Sequence, residues 1–207
     1  MNLDQMLGYL CLNACVFSEH LDPSNIQIEH ATTDEAFYIE THYDLFRNIF
    51  ELIQAYGPQQ LNLDAFEEGF KQGYWEKEEQ WNGDLADYFE YWELATQFIE
   101  ASSDQGSRQT LLREVSCLLA QAVNLSKAPT QGNYHQTLET NYSFYQMTAF
   151  DLMGAALNIF YELPLTPLEL EGMEAPFLKH VRETAVPPTR IWDQLTYQRN
   201  HLMEYIA

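Results

Sequence analysis

A chain of 207 residues with 46% hydrophobic and 14% aromatic side chains can bury a sizeable core, which excludes disorder as its main state. Ten Lys and Arg against 31 Asp and Glu leave a net charge of −21. That balance repels phosphate backbones and anionic lipid, so it argues against direct nucleic-acid binding and membrane-surface binding.

The first segment, Met1-Asn2-Leu3-Asp4-Gln5, lacks the basic residues that open a secretory signal. Leu3, Met6, Leu7, Leu10, Cys11, Ala14 and Phe17 then recur at three- and four-residue steps, the mark of an amphipathic helix ending before Asp22-Pro23. Cys11 and Cys15 fall on one face of it and read as buried apolar thiols, and three cysteines do not make a disulfide framework. Thr33 or Asp34 can cap a second helix carrying Phe37, Tyr38, Thr41, Leu45, Ile49, Leu52 and Ile53, and Gly57-Pro58 stops it. A third helix spans Leu63 to about Gln80, broken at Asn82-Gly83. Its Gly69/Gly73 pair predicts close approach of a neighbouring helix, because each Gly otherwise weakens a helix by roughly 1 kcal/mol. The fourth helix, Asp84 to Ala101, turns Leu85, Tyr88, Phe89, Trp92, Ala95, Phe98 and Ile99 inward.

Ser102 to Ser107 reads as a linker, and the plan restarts beyond it. Leu111 to Leu125 is amphipathic, Pro129 to Gly132 breaks it, and Thr140 to Leu163 forms a long helix. The most apolar run, Met147 to Tyr161, is cut by Asp151 and Asn158, too short to cross a bilayer. Thr166-Pro167-Leu168-Glu169 is a capping box with Pro at the first helical position, and Pro187-Pro188-Thr189 opens a last helix to Tyr205. The expectation is an all-α protein of about eight amphipathic helices in a single domain, 1–207.

Residues 33–70 align without gaps on 140–177, with ten identities in 38 pairs, among them Phe37/Phe144, Tyr38/Tyr145, Asp44/Asp151 and Phe70/Phe177. At an offset one residue shorter, Cys11/Cys117, Leu12/Leu118, Ala14/Ala120 and Pro23/Pro129 also match. A tandem duplication of a four-helix unit, 1–103 and 107–207, accounts for both sets; matching by amphipathic pattern alone accounts for the leucines. Charge separates the halves: residues 1–103 hold three basic and twenty acidic side chains, residues 104–207 seven and eleven.

Ala14-Cys15-Val16 before Pro23, Tyr43-Asp44-Leu45 through Leu52, Leu61-Asn62-Leu63-Asp64, the aromatic stretch from Asp84 to Ile99, and Glu114-Val115-Ser116 occur in a familiar order. In these features the chain resembles a bacterial family of uncharacterised all-helical proteins typified by YjaG. The resemblance implies one all-α domain and carries no catalytic residue across.

None of the six histidines has a Glu three residues before it, and no His-Glu-x-x-His, phosphate loop or Gly-x-Ser-x-Gly elbow is present. No cofactor, metal site or catalytic residue is therefore assigned. His135 and Glu139, at i,i+4, can share a metal or a proton but equally form a surface hydrogen bond; His42 and His180 are lone. The strongest constellation runs from Asp64 to Glu93, where carboxylates interleave with Phe70, Tyr74, Trp75, Trp81, Tyr88, Tyr91 and Trp92. Charges that steer beside rings that anchor suit a basic protein partner, and Trp75, Glu78, Glu79, Trp81, Asp84, Asp87 and Tyr91 are its candidate residues. A solvated acidic face over core aromatics is the plainer account of the same stretch.

The expectation is a cytoplasmic interaction protein, in its most specific version an inhibitor or immunity-type protein that presents carboxylates where phosphates would sit. The rivals are a small-molecule or metal-binding bundle, in one version an enzyme with a pocket between its halves, and a simple homodimer.

Overall fold

Helix starts are set by short polar side chains that satisfy first-turn amides. The computed structural model describes the backbone of residues 1–20, 47–81, 88–101, 106–126, 139–181 and 186–206, and the side chains of 1–15, 47–76, 88–101, 106–124, 151–181 and 186–201. The Asn2 carboxamide accepts from the Gln5 amide at 2.9 Å while Gln5 Oε1 accepts from the Asn2 amide at 2.8 Å, launching α1 (Leu3–His20). A second helical segment, α2, covers 47–56; Gly57, at φ 96°, ends it in a conformation that favours glycine. A single 3-10 turn, Pro58–Gln60, follows. Asn62 Oδ1 accepts from the Ala65 amide at 3.2 Å at the start of α3 (Leu63–Trp81), and α4 is Tyr88–Ala101.

In the second half Ser107 Oγ accepts from the Thr110 amide at 3.2 Å and opens α5 (Arg108–Ser126), followed by α6 (Glu139–Glu162). The expected capping box is present at α7 (Pro167–His180): Thr166 Oγ1 accepts from the Glu169 amide at 3.3 Å and Glu169 Oε2 accepts from the Thr166 amide at 2.8 Å. The last helix, α8, is Pro188–Ile206. Among the described residues the chain is eight helices with no strand, and no helix is long and apolar enough to cross a membrane. The expected cap at Thr33 or Asp34 lies outside the described residues.

Arg108 Nε donates to Glu169 Oε1 at 2.5 Å, tying the start of α5 to the start of α7. That bond, followed by the Thr166 amide, holds the Glu169 carboxyl at about 2 against an ordinary 4.5. A depressed carboxyl stabilises the fold above its unfolded pKa, and the contribution fades as pH falls through the folded value. The melting temperatures of the native protein and Glu169→Gln should therefore converge between about pH 4.5 and pH 2. Thr166→Ala, which leaves a first-turn amide without its acceptor, should cost about 1 kcal/mol in denaturant titrations.

The core draws on every helix: Leu7 and Leu10 of α1, Ile49 and Leu52 of α2, Phe66 and Phe70 of α3, Tyr91 and Ala95 of α4, Leu118 of α5, Ile159 and Phe160 of α6, Phe177 of α7 and Trp192 of α8. The Gly69 expectation holds. A Cβ there would lie 1.8 Å from Gln5 O, and one at Gly8 would lie 1.9 Å from Phe66 O, so α1 and α3 touch backbone to backbone. Gly73 is also tight, with Leu12 Cδ2 2.9 Å from where its Cβ would be.

α1 packs along α3 and also meets α4 and α6, while α5 packs along α6 and α7, and α7 meets α8. Five pairs at the 107-residue offset are buried in both members, Ile49/Ala156, Leu52/Ile159, Ile53/Phe160, Phe66/Met173 and Phe70/Phe177, while Leu61/Leu168 and Ala65/Gly172 are buried only in the first. Phe70 meets Trp92 of α4 at a centroid distance of 5.1 Å, and Phe177 meets Trp192 of α8 at 5.1 Å.

Candidate functional site

Helical geometry decides which of the α3 and α4 aromatics reach solvent. Phe66, Phe70 and Gly73 define the buried face of α3, and Trp75, five residues past Phe70, is rotated roughly 140° away from it at 100° per residue. Trp75 is accordingly 59% exposed. On α4, Tyr91 and Ala95 face inward, which sends Phe89 outward at 72% exposure. Phe89 thus departs from the sequence expectation. Aromatics at 88, 89, 91 and 92 surround the helix, and only packing against α1 and α3 selects the inward ones.

The rings form a continuous chain from core to surface. Trp92 lies edge-on to Phe70 at 5.1 Å and 6.2 Å from Phe66. Tyr88 reaches Phe70 at 5.7 Å, Tyr74 at 5.3 Å and Phe89 at 5.6 Å, and Tyr74 reaches Trp75 at 5.6 Å. Two surface aromatics are therefore braced by half-buried tyrosines whose own rings rest on the core, a geometry that restricts their rotamers. The Tyr88 hydroxyl donates to Glu67 Oε1 at 3.4 Å, and Glu67 is paired with Lys71 Nζ at 2.7 Å. Burial, then the Glu67 charge, pushes the Tyr88 phenol up to about 12, so it stays a donor.

Of the expected binding residues, Trp75 stands at the surface and Tyr91 does not. The Tyr91 ring belongs to the core and its carbonyl faces Cys15 Sγ at 3.9 Å, because its position on α4 points at α1; it is removed from the candidate surface. Glu78, Glu79 and Trp81 occupy the last turns of α3, with side chains outside the described residues, as are Asp84 and Asp87 altogether. Exposed Glu90 and Glu93 add carboxylates on α4.

A second acidic feature was not visible in the sequence. The Tyr9 hydroxyl donates to Glu76 Oε2 of α3 at 3.0 Å and also bonds Asp151 of α6. Burial, reinforced by both carboxylates, raises this phenol far above its ordinary range, so it is a fixed donor linking the halves.

All three cysteines are free and buried. Cys11 lies against Cys15 in the core, and that contact together with burial keeps its thiol protonated. Cys117 Sγ lies 3.6 Å from His180 Nδ1, the pairing a nucleophile would need. Yet the same Nδ1 lies 2.8 Å from the Pro176 carbonyl, which it must serve as donor, so that nitrogen cannot take the proton of the thiol. Burial, then the Glu114 charge, pushes Cys117 up to about 11. His42, His135 and the Glu139 side chain lie outside the described residues. Among the described residues no group of three or more His, Cys, Asp or Glu could hold a metal ion.

No family model, curated protein or solved structure matches this chain.

Proposed function

We propose that the protein is an acidic interaction protein of the cytoplasm, engaging a basic protein partner through the α3–α4 face around Trp75, Phe89 and the carboxylates at the end of α3. The specific form is an inhibitor-like protein that offers carboxylates in place of phosphates. The observation that carries this reading is where those carboxylates fall. Glu78 and Glu79 sit toward the C-terminal end of α3, where the helix dipole favours cations and each acid costs on the order of 0.3–1 kcal/mol. Helix-end electrostatics would not put them there, and on the same helix they follow the exposed Trp75 by three and four positions. The charge difference between the halves agrees with it.

The resemblance to the YjaG-like family is compatible with this reading and adds no role to it. We also infer a tandem duplication, supported by the ten identities at the 107-residue offset and by the five paired positions buried in both copies. In that view the acidic face belongs to one copy that diverged after doubling.

The test is titration with a Lys/Arg-rich peptide at low and moderate salt, comparing Glu78→Lys/Glu79→Lys on α3 with Glu171→Lys/Glu174→Lys on α7. Both pairs change the net charge equally. The first should weaken binding at least about tenfold more than the second, while raising stability through the helix dipole. Equal weakening by the two pairs would reduce the attraction to bulk charge and overturn the assignment of the face.

A further inference from the structure

The second half holds a cleft where the first half is closed. Between α5 and α7 an opening of about 700 Å³ is lined by Leu112, Leu168, Gly172 and Pro176 and, among its charged groups, by Arg108, Arg113 and Glu169. By the 106- and 107-residue offsets, the corresponding seam in the first half is the α1–α3 contact, sealed by Gly8 and Gly69. Their counterparts are Glu114 and Pro176, which carry the side-chain atoms that the two glycines lack. The consequence shows at two positions. Leu61 is 8% exposed while Leu168, its counterpart, is 76% exposed. A Cβ on Gly172 would meet nothing within 4 Å.

The lining joins two chemistries. Leu112, Leu168 and Pro176 offer apolar surface beside an open glycine. Arg108 spends Nε on Glu169 and Nη2 on the Pro164 carbonyl, and Arg113 spends Nε and Nη2 on Glu114. These bonds fix both guanidinium groups in place and leave the Nη1 end of each outside them. Both arginine side chains are about half exposed. A fixed guanidinium edge is suited to a carboxylate. Glu169 and Glu114 offset the charge of the two arginines, so what the mouth of the cleft offers an anion is the Nη1–H edges of two oriented guanidinium groups and not net positive charge.

We propose that the α5–α7 cleft binds a small amphipathic carboxylic acid, its chain lying over Leu168, Gly172 and Pro176 and its carboxylate against Arg108 and Arg113. The site is on a different pair of helices from the acidic face, so it stands or falls independently of the partner reading.

The experiment uses the full chain and isothermal titration with octanoate, octanol and acetate. Octanoate should bind saturably and at least about tenfold more tightly than either of the others, since each supplies only one of the two recognised features. Gly172→Phe should weaken octanoate at least about tenfold by filling the opening. Leu168→Ser, at an exposed position that the fold does not need, should weaken it severalfold and serves if the Phe variant fails to fold. Octanol binding as well as octanoate, octanoate affinity untouched by Gly172→Phe and Leu168→Ser, or no saturable binding at millimolar concentration would overturn the proposal.

Discussion

Gly69→Ala is expected to be among the most damaging single-methyl additions in this protein. The new Cβ would lie 1.8 Å from the carbonyl oxygen of Gln5, and the listeners to that clash are backbone atoms of α1 with no rotamer to escape into. Relief requires α1 and α3 to separate, which also loosens Phe66 and Phe70 against Leu7 and Leu10. Overpacking ordinarily costs about 1–3 kcal/mol, and a clash confined to backbone belongs at the top of that range or beyond it. Even after the roughly 1 kcal/mol that Ala gains over Gly in a helix, about 2–3 kcal/mol should be lost. In a chain of this length that lowers the melting temperature by roughly 4–12 °C. Gly8→Ala should behave alike, because its Cβ would lie 1.9 Å from Phe66 O. Gly154→Ala and Gly172→Ala are the internal controls: nothing lies within 4 Å of either added carbon, so both should stabilise by roughly 0.5–1 kcal/mol. A neutral Gly69→Ala would mean that α1 and α3 are not in backbone contact.

Replacing Arg199 should cost more, by another route. This buried arginine of α8 reaches the end of α6, where the last turn of carbonyls has no partner within its own helix. Nε donates to Phe160 O at 3.2 Å and Nη2 to Leu163 O at 2.8 Å, with the guanidinium 5.7 Å from the Phe160 ring centroid. Burial lowers the Arg199 pKa, yet an arginine so placed keeps its charge at any ordinary pH. Arg199→Met retains much of the stem packing but leaves two buried carbonyls without a donor. With charge-assisted hydrogen bonds worth about 1.5–3 kcal/mol each, the loss in guanidinium-chloride titrations should be about 3–5 kcal/mol. Arg199→Lys, able to serve one carbonyl well, should fall between. A near-native Arg199→Met would mean that water replaces the side chain at the end of α6.

The local features of the fold were legible because they are written locally. Three- and four-residue spacing marked the helices, Gly57-Pro58 marked the end of α2, and Thr166 to Glu169 marked the start of α7. The Gly69/Gly73 pair announced a close neighbour without saying which, since that neighbour, α1, lies some sixty residues away in sequence. Orientation was harder wherever side chains of one kind surround a helix. Tyr88, Phe89, Tyr91 and Trp92 are all aromatic, and only contact with α1 and α3 decides that Tyr91 is core and Phe89 is surface. The α5–α7 cleft was invisible for a related reason. Leu168 is an apolar residue at a position whose counterpart, Leu61, is covered, and its exposure follows from how far apart two helices stand.

The measurement that bears most directly on the α3–α4 face as a partner surface is the dissociation constant of a Lys/Arg-rich peptide for Trp75→Ala/Phe89→Ala, set beside the native chain at the same salt. Both rings are largely exposed, so their removal changes neither net charge nor core. The account predicts at least about tenfold weaker binding with the melting temperature preserved; an unchanged dissociation constant would contradict it.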